Sequence, residues 1–240
     1  MPVDASESEH TCCKAAGGGH LEVLKWARAH HCPWNGGETW RAANGGHLET
    51  LRWVVEHGCP WSEGACDAAA EGGHLEVLQF AREHGCPWDE DTCLAAASYG
   101  HAEVLRWAHE NGCPWNKDTT AWAAEGEHLE ALQYARAHGC SWDAETCALA
   151  AGNGHLEVLR WAHENGCPWG ESTCERAVMG GEVSYHERHL EVLRWAREHG
   201  CRWDKKRCLA RASDDGRVWF LHHSRSARLN VELATWVTEN

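Results

Sequence analysis

Apolar and polar positions along the chain follow the spacing of short amphipathic helices. The phrase HAEVLRWAHE at 101–110 places its valine, leucine, tryptophan and second alanine on one broad face and most of its charged residues on the other. An alanine-rich segment precedes it, beginning at Thr92, a favourable N-cap residue, and ending at Gly100. Gly112 and Pro114 end the second segment. The pattern predicts two short helices, each followed by a turn.

This two-helix phrase repeats along the chain. A histidine opens the second helix of each copy, and the first six of these histidines are 27 residues apart: His20, His47, His74, His101, His128, His155 and His189. A unit of this length cannot bury a hydrophobic face alone, so it must stack on its neighbours. The sequence therefore predicts an all-α helix-turn-helix solenoid of about eight repeats.

The repeats predict a single domain over residues 11–240, preceded by a disordered segment at 1–10. The units lie near 11–37, 38–64, 65–91, 92–118, 119–145, 146–172 and 173–206, followed by a degenerate C-terminal cap at 207–240. Seven extra residues at 182–188, EVSYHER, interrupt the seventh unit. Their polar sequence predicts a protruding loop in which Tyr185 and Arg188 are candidate contacts, although neutral insertions are also common in surface turns.

Aromatic residues recur at two positions of the repeat. One series lies in the second helix: Trp26, Trp53, Phe80, Trp107, Tyr134, Trp161 and Trp195. The other lies in the turn that follows: Trp34, Trp61, Trp88, Trp115, Trp142, Trp169 and Trp203. We expect both series to be largely buried and to replace the long aliphatic side chains that fill most solenoid cores.

The unit resembles an ankyrin repeat. Thr92-Cys93 matches the opening Thr-Pro, Ala96-Ala97 the paired alanines, Gly100-His101 the Gly-His, and the segment at 112–116 (GCPWN) the Gly-Ala-Asp-Val-Asn of that family. Ankyrin units have about 33 residues, and most of the missing residues belong to the turn between units. The resemblance therefore implies an ankyrin-like solenoid with β-hairpins lost or vestigial, acting as a protein-binding scaffold.

In ankyrin-like folds the first helices of the units form the concave surface, so the positions that vary there are candidate contacts. They are Trp40, Arg41, Asp67, Glu71, Tyr99, Trp122, Glu125, Asn153, Arg176 and Met179. Trp, Tyr and Arg are common anchors of protein interfaces, and Trp40 and Trp122 lie outside both aromatic series. The alternative is that these tryptophans fill local gaps and that the charged positions are simply solvated.

Charge and hydropathy narrow the class of partner. The net charge of −14 repels phosphate backbones, which disfavours nucleic acid and favours a protein partner, although the last forty residues are mildly basic. No apolar run approaches the length of about 18 residues that a membrane span needs. We expect a monomeric, intracellular and cytoplasmic protein with no membrane segment.

Cysteines offer an alternative function. Five pairs are seven residues apart: 59/66, 86/93, 140/147, 167/174 and 201/208. Such pairs could meet at a helix junction and support a thiol-rich zinc-binding or redox protein. Thr39 and Thr120 replace the second cysteine in two units, which weakens the zinc-binding or redox hypothesis. Every Asp, Glu, His and Cys set is repeated, whereas catalytic sites are asymmetric, so we expect no enzyme activity, no catalytic residue, no cofactor and no metal.

Overall fold

The computed structural model describes the backbone of residues 5–179 and 186–204, and the side chains of residues 10–178 and 188–204. These residues form fourteen helices and no strand. They divide into two compact units, the first ending at Asn116 and the second beginning at Lys117. The all-α repeat fold and the loss of the β-hairpins are thus confirmed for the described residues. The predicted cap at 207–240 lies outside them.

Each compact unit is a short stack of helix pairs. The first contains α1 (Ala5–Gly17), α2 (Leu21–Ala29), α3 (Gly37–Asn44), α4 (Leu48–Glu56), α5 (Ala65–Glu71), α6 (Leu75–Glu83), α7 (Glu90–Ser98) and α8 (Ala102–Glu110). The second contains α9 (Lys117–Glu125), α10 (Leu129–Ala137), α11 (Ala144–Gly152), α12 (Leu156–Glu164), α13 (Glu171–Met179) and α14 (His186–Glu198). We call the first helix of each pair the inner helix and the second the outer helix. Inner helices pack on one another in series within each unit, and each outer helix packs on its own inner helix.

Leucine and alanine fill the core, which differs from the prediction. One leucine of each outer helix is completely buried: Leu24, Leu51, Leu78, Leu105, Leu132, Leu159 and Leu193. Paired alanines, such as Ala96 and Ala97, line the buried side of the inner helices and allow them to approach closely. The expectation that aromatic series replace aliphatic side chains is therefore wrong.

Most tryptophans of the two series are half-buried at the edge of this core. The indole N–H of Trp34 donates to the carbonyl oxygen of His57 at 3.0 Å, and that of Trp61 donates to His84 at 3.1 Å. Indole carries a polar group that needs a partner, so it lies where an apolar surface meets the open carbonyls at the end of a helix. Trp34 and Trp61 therefore each link the turn after one outer helix to the end of the next outer helix.

An aspartate, not the predicted threonine, caps the representative inner helix. Asp89 is the N-cap of α7, and its Oδ1 accepts a hydrogen bond from the Asp91 backbone N–H at 3.0 Å. Thr92 lies inside the helix and is fully buried. Asp143 caps α11 in the same way through the Glu145 N–H. A short carboxylate satisfies the open N–H groups and also interacts favourably with the positive end of the helix.

Two helices extend into segments that the sequence analysis placed outside helices. α1 begins at Ala5, so the backbone of residues 5–10 is helical. α14 begins at His186, so residues 186–188 are not part of a loop. Elsewhere the histidine follows a residue at positive φ, such as Gly154 at +75°, which separates the two helices. Arg188 occupies that position before His189 and is helical, so the outer helix starts earlier.

Candidate functional site

Five of the repeated histidines hold their helix pair to the preceding pair of the same compact unit. His101 Nε2 donates to the carbonyl oxygen of Glu71 at 2.9 Å. Equivalent bonds at 2.8–3.1 Å join His47 to Gly17, His74 to Asn44, His155 to Glu125 and His189 to Gly152. Each carbonyl lies in the last turn of the preceding inner helix, where no helical N–H reaches it. These histidines are therefore structural, and they leave the exposed side of the inner helices as the candidate surface.

Trp40 and Arg41 lie together on α3 in the first unit. Trp40 is half-buried and packs over Gly64, the N-cap of α5, where an added Cβ would lie 3.4 Å from the indole Cδ1. The Arg41 guanidinium carbon is 5.1 Å from the Trp40 ring centre, and its stem runs beside Gly17. Trp40 therefore fills a gap between inner helices while keeping part of its ring exposed, and its role as a contact stays a prediction.

The candidates on α5 and α7 carry negative charge and an exposed aromatic ring. Asp67 Oδ1 accepts a hydrogen bond from Thr92 Oγ1 at 2.5 Å. Burial, together with the nearby charges of Asp89 and Asp91, raises the pKa of Asp67. Tyr99 follows α7 and is 55% exposed, and the Glu71 carboxylate beside its phenol raises the pKa of Tyr99.

In the second unit the most exposed aromatic side chain among the candidates is Trp122 on α9, with 46% of its surface accessible. Glu125 is half-buried, and its carbonyl accepts the bond from His155. Asn153 caps the end of α11 by donating from Nδ2 to the Leu149 carbonyl at 3.0 Å. Trp122 is thus presented at the surface, whereas the other two also have structural partners.

The remaining candidates lie near α13 and α14. Arg176 forms an ion pair with Glu145 across the α11–α13 contact. Met179 is the last residue of α13. Arg188 is exposed on α14, with Nη1 3.6 Å from Glu127 Oε2. Tyr185 lies outside the described residues. Arg188 therefore lies in a helix beside an acidic residue, and not in the loop that the sequence predicted; its role as a contact stays a prediction.

The outer side of the first unit contains a groove that the sequence analysis did not anticipate. An open depression of about 520 Å³ is lined by Gln79, Arg82, Glu83, Trp88, Trp107 and Asn111. The Arg82 guanidinium lies 4.0 Å above the centre of the Trp88 ring, whose edge meets Trp107 at 5.9 Å between ring centres. The sequence does contain a signal for this groove: in some repeats an arginine lies two positions after the aromatic residue of the outer helix, as at 28, 82 and 136.

The cysteines pair differently from the prediction. Cys66, predicted to meet Cys59, instead approaches Cys86, and its Sγ lies 4.0 Å from the Cys86 carbonyl oxygen. Cys59 lies 3.7 Å from the Glu38 carboxylate, and burial with that charge raises the pKa of Cys59 to about 12. In the described part of the chain, no three His, Cys, Asp or Glu side chains are placed to hold a metal ion. The alternative of a zinc-binding or redox pair built from Cys59 and Cys66 is therefore not supported.

Among the described helices, none is both long and apolar enough to cross a membrane. No protein-family model matches the sequence, and a search of curated proteins finds no match. A search of solved structures finds similarity to the crystal structure of the human ASB11 ankyrin repeat domain. The TM-score is 0.55 at 18% sequence identity, over 65% of this chain and 84% of that chain. At this identity the similarity concerns the fold alone, and the chain has an ankyrin-like repeat fold.

Proposed function

We propose that this protein is a non-catalytic protein-protein interaction scaffold, binding its partner through the exposed side of the inner helices. The observation that carries the proposal is that each compact unit presents a large aromatic side chain there, Tyr99 in the first and Trp122 in the second. An aromatic ring that is half exposed offers apolar area to a partner at little cost in conformational entropy.

The ankyrin-like fold and the charge support the same function. Ankyrin-like folds are interaction folds, and the net charge of −14 favours a partner that is neutral or basic on its contact surface. The partner is a protein rather than a nucleic acid, and the scaffold acts as a cytoplasmic monomer. Arg41 and Arg176 are secondary contacts, since each also packs within the fold.

The test begins with capture of proteins from source-cell lysate on the immobilised chain, followed by affinity measurement with the purified partner. Tyr99→Ala and Trp122→Ala remove the exposed rings without opening the leucine core. Trp26→Ala is the matched control, because Trp26 is 63% exposed but lies on an outer helix. Trp40→Ala is less informative, since its loss also removes packing over Gly64.

We expect at least one inner-helix variant to weaken the partner's affinity by tenfold or more, and Trp26→Ala to leave it unchanged. All three variants should retain the wild-type circular dichroism spectrum. A partner whose affinity falls only with Trp26→Ala would place the binding surface on the outer helices and contradict the proposal.

A further inference from the structure

The structure pairs a cysteine of the inner helix with the cysteine of the turn that follows the outer helix of the same repeat. The pairs are 12/32, 66/86, 93/113, 147/167 and 174/201. The first is closed as a disulfide. The members of every pair are buried. Because the pairing recurs in five repeats and joins two elements of one unit, it is a property of the repeat geometry.

The thiols of Cys174 and Cys201 are in direct contact. Cys174 donates its S–H to Cys201 Sγ, with 3.1 Å between the sulfur atoms. The Arg197 side chain donates to the Cys201 carbonyl at 3.1 Å, which places a guanidinium group beside the turn. The hydrogen bond from Cys174 and the charge of Arg197 lower the pKa of Cys201. Cys201 is therefore the thiol that we expect to ionise and to act as the nucleophile.

We propose that Cys174 and Cys201 are a hydroperoxide-responsive dithiol that closes to a disulfide. The Cys201 thiolate attacks one oxygen of the hydroperoxide and the O–O bond breaks, which forms a sulfenic acid. Hydroxide leaves from hydrogen peroxide, or an alkoxide from an organic hydroperoxide, and takes up the proton that the Cys201 thiol lost. The Cys174 sulfur then attacks this sulfur, the S–O bond breaks, and the thiol proton leaves with the oxygen in water. For hydrogen peroxide, two thiols and one peroxide give one disulfide and two waters.

The geometry makes this step accessible. A disulfide bond is about 2.05 Å long, so the two sulfurs need to approach by only about 1 Å from their 3.1 Å separation. Both side chains are buried, so the oxidant must reach the turn through a local opening, which favours a small hydroperoxide over a bulky disulfide. The new bond would tie α13 to the turn after α14 and enclose the inserted segment in a 27-residue loop.

The second compact unit also contains a control cysteine. Cys140 occupies the equivalent turn position, but Thr120 replaces the inner-helix cysteine and donates its hydroxyl hydrogen bond within the unit, to Lys117 or Ser141 carbonyls. Burial raises the pKa of Cys140 to about 11, opposite to the shift at Cys201. Proximity and thiolate character thus both predict oxidation at Cys201 and not at Cys140.

The experiment treats the reduced full chain with a small excess of hydrogen peroxide, blocks remaining thiols with N-ethylmaleimide and maps peptides without reduction. We expect a peptide joining Cys174 to Cys201 to form before Cys140 enters any disulfide. The melting temperature should rise by several degrees and return to its first value with a thiol reductant. Partner affinity is a separate measurement, so failure here leaves the proposed scaffold function untouched.

Two variants test the pairing rule itself. Cys174→Ala removes the partner while keeping a small apolar group, so the 174–201 link and the rise in melting temperature should both disappear. Thr120→Cys should create a new link to Cys140. The proposal is overturned if peroxide modifies Cys201 in the wild type without forming this link, or if urea-unfolded protein forms it in equal yield.

Discussion

Replacing Gly73 with alanine tests the contact between successive helix pairs. Gly73 lies at φ +72°, a left-handed conformation that costs a residue with a Cβ about 1–2 kcal/mol. An added Cβ would also lie 2.5 Å from His101 Nδ1, so the imidazole must move away. Moving it breaks the bond from His101 Nε2 to the Glu71 carbonyl, worth about 1 kcal/mol. Alanine also reduces the conformational freedom of the unfolded chain, which offsets about 0.5 kcal/mol of this destabilisation. We expect the free energy of unfolding to fall by about 1.5–2.5 kcal/mol.

Gly85→Ala separates backbone strain from the histidine contact. Gly85 has nearly the same conformation, φ +80°, but an added Cβ would meet no atom within 4 Å. Its substitution should therefore cost only the strain, about 1 kcal/mol after the same unfolded-state offset.

Urea unfolding followed by circular dichroism at 222 nm measures both variants, and an unchanged m-value shows that the comparison is valid. Equal destabilisation by Gly73→Ala and Gly85→Ala would refute the idea that the histidine contact couples neighbouring repeats. Adding His101→Ala to Gly73→Ala should cost little more than Gly73→Ala alone, since the hydrogen bond is already lost.

Two further predictions follow from the core and from the acidic inner surface. Leu105→Ala should lower the free energy of unfolding by about 3–5 kcal/mol, because Leu105 is completely buried. Trp107→Ala should lower it by only about 1–2 kcal/mol, because the ring is half exposed. Urea titration measures both variants, and a larger loss for Trp107→Ala would contradict the assignment of the core. The raised pKa of Asp67 means that the folded state binds its proton more tightly than the unfolded state, so its contribution to stability is full at low pH and is lost as pH rises through the folded pKa. Asp67→Asn should therefore become more stable relative to the wild type between pH 3 and pH 7, and a pH-independent difference would show that the carboxyl is not desolvated.

Local sequence patterns were sufficient to predict the helices and the repeat. The 3.6-residue spacing around Leu105, the glycine before each histidine and the Gly-Cys-Pro turn specify helix pairs without reference to any distant residue. The N-cap was missed because Asp89 and Thr92 are both good capping residues, and only the path of the backbone decides between them.

The sequence predicted the candidate surface less completely than it predicted the helices. The variable inner-helix positions were identified from the repeat, but their exposure depends on the neighbouring helix. Trp40 is covered in part because Gly64 leaves room beside it, whereas Trp122 remains exposed. Arg188 was assigned to a loop because its segment is an insertion, yet its side chain belongs to a helix that starts early.

By itself, the sequence determined that the chain forms an all-α repeat, because periodicity and turn chemistry act between residues close together in the chain. Tertiary structure alone decided that leucine rather than tryptophan fills the core, that histidines such as His101 bond the preceding helix pair, and which cysteines meet. Cysteines seven residues apart are close in the sequence. In the structure, however, the inner helix and the turn of one repeat bring together cysteines that are twenty or more residues apart. Such contacts depend on how helices stack, and a repeated sequence is compatible with several pairings until stacking selects one.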